Sequence, residues 1–130
     1  MPPDGDPMPP DGAVNLTEKF SLVDEHWSPK IVGRVNTLDV KVVRLLGDFV
    51  WHTHENTDEF FLVHRGRLTI RLESRDDVVL GPGEFFVVPR GTRHCPVASE
   101  ECEVVLLEPV GTVNTGDAAD SEMTAEDEWI

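Results

Sequence analysis

The sequence predicts an all-β chain, folded as an antiparallel sandwich or barrel. Three observations carry that expectation. From residue 31 to about residue 110, short runs rich in β-branched and aromatic residues recur every eight to ten residues or so, a spacing of hairpin-linked strands rather than of βα units. The breaks between them are Gly, Pro and Asp, with firm turn signals at Arg65-Gly66-Arg67 and Gly81-Pro82-Gly83. A chain of 130 residues, 39% of them apolar, has material for one domain and one core, not two.

The elements follow in order. Met-Pro-Pro-Asp-Gly occurs at 1–5 and again at 8–12, and five of the ten prolines lie in the first ten positions. Such a segment buries too little apolar area to offset its ordering entropy, so residues 1–14 read as an arm outside the fold. A short helix follows, with Asn15 as its cap and Glu18 at the capping-box position. Leu16, Phe20 and Val23 share one helical face, and Trp27 and Pro29 close the segment. Strands are expected at 40–46, 49–54, 59–64, 68–73, 78–80, 84–88, 95–98 and 103–107. The main domain is expected to span 15–112. Residues 113–130 are expected as an acidic tail: from Asp117 on they hold six acids and no base, and read as solvated chain or a short helix around 123–129.

The formal net charge of −14 comes from 11 basic and 25 acidic residues. An excess of acids on this scale argues against nucleic acid as a partner, because phosphate binding needs Lys and Arg in surplus. All eleven bases lie between Lys19 and Arg93, a window that also holds eleven acids, so the excess belongs to the two ends of the chain. No apolar run approaches the roughly 20 residues of a membrane span, and the N-terminus has neither the basic start nor the apolar stretch of a signal peptide. A cytoplasmic protein is expected. Cys95 and Cys102 are expected to be reduced and partly buried.

Five histidines are present, and three stand in a suggestive pattern. His52-Thr53-His54 falls in an expected strand, where residues two apart point to the same face. Glu59 begins the next strand, and His94 follows the turn Pro89-Arg90-Gly91. Three imidazole nitrogens and one carboxylate oxygen converging inside a barrel suit a first-row transition metal with positions left open for a ligand. Taken alone, the His-x-His pair is equally compatible with unrelated core or surface histidines.

The surrounding glycines add to that pattern. Gly47, His52, His54, Glu59 and Gly66, followed by Gly83, Pro89, Gly91 and His94, resemble the two motifs of the cupin superfamily. The resemblance covers residues 40–108 and is nearest to small single-domain cupins described as mannose-6-phosphate-isomerase-like, with polyketide cyclases similar in size and motif. It implies a jelly-roll (double-stranded β-helix) barrel. It also implies one divalent transition metal per chain held by His52, His54, Glu59 and His94, with iron, manganese, nickel, copper and zinc all admissible. Two departures stand out: the spacer from Gly47 to His52 is one residue short of the usual pattern, and the Asn that often ends the second motif is Ala98.

Strand alternation then sorts the remaining side chains. Val50, Phe61 and Val63 should point into the barrel, and Trp51, Thr53, Phe60, Leu62 and His64 outward. An outer face carrying Trp51, Phe60 and Leu62 needs a cover, either the N-terminal helix or a second subunit, and a homodimer is expected. His26 and His64 read as surface groups, and Arg44, Arg90 and Arg93 as solvated arginines that an anionic substrate could also meet. Few polar groups beyond the four proposed ligands are expected in the cavity. Two functions remain compatible with the chain: a metal-dependent enzyme on a small oxygenated metabolite (isomerase, cyclase, lyase or dioxygenase), or a non-catalytic module that holds a metal and a small molecule.

Overall fold

A computed structural model describes residues 12–118 and 121–130. The arm expected at 1–14 lies, apart from its last three residues, outside the described residues. The chain runs α1 (Leu16–Ser21), β1 (Lys30–Val35), β2 (Leu38–Asp48), β3 (Glu59–Arg65), β4 (Leu68–Leu72), β5 (Arg75–Leu80), β6 (Phe85–Val88), β7 (His94–Pro109) and β8 (Glu128–Trp129). It is the all-β jelly-roll barrel that the strand spacing and the motifs lead one to expect.

β7 organises the barrel. Its first residues lie against β4 and its later ones against β3, while β2 runs along its other edge. The sheet order is β5-β4-β7-β2-β1-β8, with β3 bridging β7 and β6. Sequence reading splits this 16-residue strand in two because Ser99, Glu100 and Glu101 are exposed polar residues. They form an irregularity at which the β2 register shifts between Leu45 and Gly47. Gly66, at the β3–β4 turn, adopts φ +91°, and a Cβ there would stand 2.8 Å from the Glu101 carbonyl oxygen. Only glycine fits both the conformation and the approach.

Two apolar clusters follow from strand alternation. Inside the barrel are Val43, Leu45, Phe61, Val63, Leu68, Ile70, Val104 and Leu106. On the outer face, Val42, Val105 and Leu62 meet Phe20 and Val23. Asn15 caps the helix by accepting the Glu18 amide at 2.9 Å, and Phe20 one turn on is packed with no residual exposure. Burying one such ring stabilises the fold by about 1.5–3 kcal/mol. The helix is therefore the cover for Leu62, and His64 stacks on Phe20 at 5.2 Å. Trp51 is flanked instead by the guanidinium groups of Arg71 and Arg93. Phe60 stacks on Phe85, which is itself exposed.

Three sequence expectations need correction. The segment 49–54 is not a regular strand: His52 forms an isolated bridge with His94, and the neighbouring backbone of Thr53 is taken up by Asp117. β1 was not foreseen, because Lys30, Gly33 and Arg34 interrupt its apolar pattern. The C-terminal residues are neither solvated chain nor helix. Thr115 is fully buried, Glu128–Trp129 pairs in parallel with β1, and Ile130 donates its amide to the Ile31 carbonyl. Five of the ten acids after Arg93 also meet bases: Glu101 and Glu103 meet Arg44, Glu108 and Asp127 meet Lys41, and Glu128 meets Lys30.

Candidate metal centre

His52 and His54 are set on the segment between β2 and β3, Glu59 is the first residue of β3, and His94 the first of β7. The two motifs meet through the backbone. His52 and His94 exchange amide–carbonyl bonds of 3.0 and 2.9 Å, and the Gly91 amide donates to the His54 carbonyl at 2.9 Å. The C-terminal segment grips the same stretch from outside. Thr53 donates to Asp117 Oδ1 at 2.8 Å, and the Asp117 amide returns a 3.0 Å bond to the Thr53 carbonyl. Gly116 packs so closely that a Cβ there would fall 2.4 Å from that carbonyl oxygen. This grip explains why Thr53, expected to face solvent, is buried.

His52, His54, Glu59 and His94 are all buried and offer one ligand atom each within 4.8 Å of one another, a group that could hold a metal ion. Their hydrogen bonding fits that use. His52 Nδ1 lies 2.9 Å from the Val50 carbonyl and His94 Nδ1 2.9 Å from the Thr92 carbonyl. Each Nδ1 must therefore carry the proton, which leaves each Nε2 a lone pair aimed inward. Six buried side-chain polar atoms lack a hydrogen-bond partner among the described residues. Four are His52 Nε2, His54 Nε2, Glu59 Oε2 and His94 Nε2. Of these, His54 Nε2 and Glu59 Oε2 stand in ion-pair contact with each other, whereas His52 Nε2 and His94 Nε2 have no partner; a cation shared by the four would satisfy them all, as buried polar atoms almost always are.

The electrostatics agree. Burial, helped by His94, pushes His52 down to about 4, and burial also lowers His94. Burial works against a charged His54, but the Glu59 carboxylate in ion-pair contact with it prevails and raises it. Burial likewise opposes the Glu59 charge, and the His54 contact overrides it and lowers the carboxyl.

Two of the four residues, His52 and Glu59, line a cavity of about 370 Å³, counting its mouth. Trp27, Phe49, Phe61 and Leu106 supply much of its wall, with Asn114 and a second acid, Glu108. Glu108 was not foreseen. It is 1% exposed, and its Oε1 accepts Lys41 Nζ at 2.8 Å. Lys41 is fully buried and also donates to Asp127 at 2.7 Å. Glu108 Oε2 is the fifth orphan; the sixth is Asp39 Oδ2, whose partner oxygen holds Arg34. Burial, together with the charge of Glu59, pushes the Glu108 carboxyl up to about 7 against the pull of Lys41. Burial opposes the Lys41 charge, and the two carboxylates overcome it and raise the group. The sequence carried a signal for both residues: Lys41 shares inward parity with Val43 and Leu45, and Glu108 with Val104 and Leu106.

Residues singled out elsewhere stand apart from this cluster. His26 bonds Glu101 at 2.8 Å, and the half-buried His64 bonds Glu103 at 3.0 Å. Arg44 is engaged by Glu101 and the Phe20 carbonyl, Arg90 by Asp58, and Arg93 by Glu73. Cys95 and Cys102 are buried and free, and burial raises both thiols.

A barrel with this residue set defines a class, and comparison with known proteins gives the same one. The Cupin domain family matches residues 43–109, and the chain belongs to that family. It is 32% identical over 80 residues to the uncharacterized protein YdbB of Bacillus subtilis (strain 168), covering 62% of this chain and 71% of that one. A cupin-2 domain protein from Shewanella frigidimarina is similar in structure, with TM-score 0.72, 42% identity, and coverage of 74% of this chain and 93% of the other. A hydroquinone 1,2-dioxygenase from Sphingomonas sp. TTNP3, solved with 4-hydroxybenzoate bound, has TM-score 0.69. At 19% identity, over 75% of this chain and 32% of that one, it speaks for the fold alone. No helix among the described residues is long and apolar enough to cross a membrane.

Proposed function

We propose that this cupin is a metal-dependent enzyme acting on a small, partly apolar, oxygenated metabolite. His52, His54, Glu59 and His94 are its ligands to one divalent transition ion. The observation that carries the reading is the convergence of four buried ligand atoms within 4.8 Å of one another, with His52 and Glu59 lining a cavity. When bound, such an ion supplies Lewis-acid chemistry toward an oxygen of the substrate. The remaining work falls to the chain. The carbonyls of Val50 and Thr92 fix the tautomers and ring orientations of His52 and His94. Trp27, Phe49 and Phe61 exclude water and take the apolar body of the substrate. Trp27 is held there by an indole bond of 2.9 Å to the Leu46 carbonyl.

The test is a turnover screen of the protein loaded in turn with iron, manganese, nickel, copper and zinc. Diketones, catechols, hydroquinones, uronates and sugar phosphates are offered with and without air. Turnover in at least one combination, abolished in Glu59→Ala, is expected. Tight ligand binding with no turnover in any combination would contradict the enzyme reading and leave a binding module.

Two further points belong to this proposal. A homodimer is supported by Phe85 and Val87, which are 60% and 39% exposed on the same outer face as Phe60. Light scattering should give twice the 14.5 kDa chain mass, and a single-chain mass at every concentration would contradict it. The two free cysteines suit a reducing compartment such as the cytoplasm.

A further inference from the structure

We infer that Glu108 is a second ligand-binding group of the cavity: the acceptor for a hydroxyl on a neutral, partly apolar molecule whose other oxygen goes to the four-residue cluster. This rests on the metal-centre reading and adds to it what the β7 wall recognises. Glu108 lines the cavity, is 1% exposed, and keeps Oε2 unpartnered. Its orientation is fixed from behind, because Lys41 holds Oε1 at 2.8 Å and is itself anchored by Asp127 at 2.7 Å. A buried carboxylate oxygen left unmet is costly, and an ionised carboxylate can only accept. The complement to Oε2 is therefore a donor on the ligand.

The rest of the lining decides which donor. Asn114, the other polar group named in the wall, is already spent: its amide donates to the Trp27 and Met123 carbonyls, and its oxygen accepts from Ala125. No Lys or Arg lines the cavity among the described residues, so the Glu108 wall offers an anionic group no cation beyond Lys41, which Glu108 already holds. A cationic ligand would have to approach a divalent ion. What remains is a neutral molecule with an apolar body and a hydroxyl.

Hydroquinone and 4-methylphenol test this directly, since they differ only in the second hydroxyl. Their binding to the zinc-loaded protein is measured by calorimetry at pH 8, without air. The wild type should bind hydroquinone at least about tenfold more tightly, the scale of one charge-assisted hydrogen bond. This comparison needs no variant. In Glu108→Gln the Lys41 ammonium retains the amide oxygen and turns the NH₂ into the cavity, replacing an acceptor with a donor. The phenol oxygen can still accept from that NH₂, but the bond is then neutral rather than charge-assisted, so the preference should fall by at least about threefold, with zinc stoichiometry unchanged. Equal binding of both probes by the wild type, no binding of either, or an undiminished preference in Glu108→Gln would each overturn the assignment. So would loss of zinc from Glu108→Gln, which would place Glu108 in the metal centre. Failure of the wild type to take up zinc would refute the metal-centre reading instead, and the zinc measurement keeps the two failures apart.

Discussion

Two buried polar groups share the cavity and differ in how they are made. The cluster of His52, His54, Glu59 and His94 is built from two short stretches of sequence that the backbone clasps together. The Lys41–Glu108–Asp127 group is built from three segments far apart in the chain. In the first, three imidazoles and one carboxylate bring four ligand atoms within 4.8 Å of one another, a group that could hold a cation from outside the chain. In the second, the chain supplies the positive charge itself and leaves one oxygen over. The contrast teaches that an orphaned polar atom is informative in proportion to how completely its neighbours are satisfied. Four ligand atoms drawn together suit an ion, whereas one free oxygen on an anchored carboxylate beside a cavity suits a hydrogen-bond donor.

The comparison can be broken most forcefully at Lys41. Lys41→Met leaves the Glu108 carboxylate buried without its cation and should cost about 3–5 kcal/mol by chemical denaturation. The double change Lys41→Met/Glu108→Leu should recover most of that, because it removes the stranded charge. A loss below about 1 kcal/mol in the single variant would show that this group is not held by its internal ion pair.

A second effect depends on pH. Glu108 stands near 7 in the folded protein, against 4.5 for an ordinary glutamate. The folded chain thus keeps a proton that the unfolded chain releases between those values. Its contribution to stability is complete below pH 4.5, declines as pH rises through the window, and is gone above about pH 7, with an upper bound of about 3 kcal/mol. Denaturation midpoints from pH 4.5 to 8 should show that downward slope in the wild type and a flatter one in Glu108→Gln. Parallel slopes would remove Glu108 as its source.

A third change sharpens the other side of the contrast. Gly116→Ala puts a Cβ against the Thr53 carbonyl at a backbone angle that alanine rarely adopts. It should cost about 1–3 kcal/mol. It should also weaken metal affinity about tenfold, because it displaces the Thr53 segment and its Cβ would stand 3.2 Å from His52 Cδ2. An unchanged affinity would show that the C-terminal grip on His52–His54 has no part in shaping the centre.

These differences also explain what the sequence could and could not reveal. His52, His54, Glu59 and His94 were legible because their pattern is local and framed by turn glycines. The strand run and the helix cap at Asn15 were legible for the same reason. Lys41 and Glu108 were not, because seeing them as partners requires knowing that β2 lies beside β7 in the register that pairs Lys41 with Leu106. The C-terminal residues were hidden by composition. Six acids without a base look solvated until Lys30 and Lys41 are placed opposite Glu128 and Asp127. The excess of −14 lies at the two ends of the chain in sequence, but the fold brings bases of the middle to acids of the C-terminal end.

The most direct test of the central claim is a metal titration. Metal-free protein is titrated with zinc at pH 7.5, and the bound ion is counted by elemental analysis in the wild type, His52→Ala, His94→Ala and His64→Ala. The account predicts one ion per chain in the wild type and in His64→Ala, and at least about a hundredfold weaker binding in the other two. Failure of the wild type to bind zinc, or retention of full affinity in His94→Ala, would contradict it.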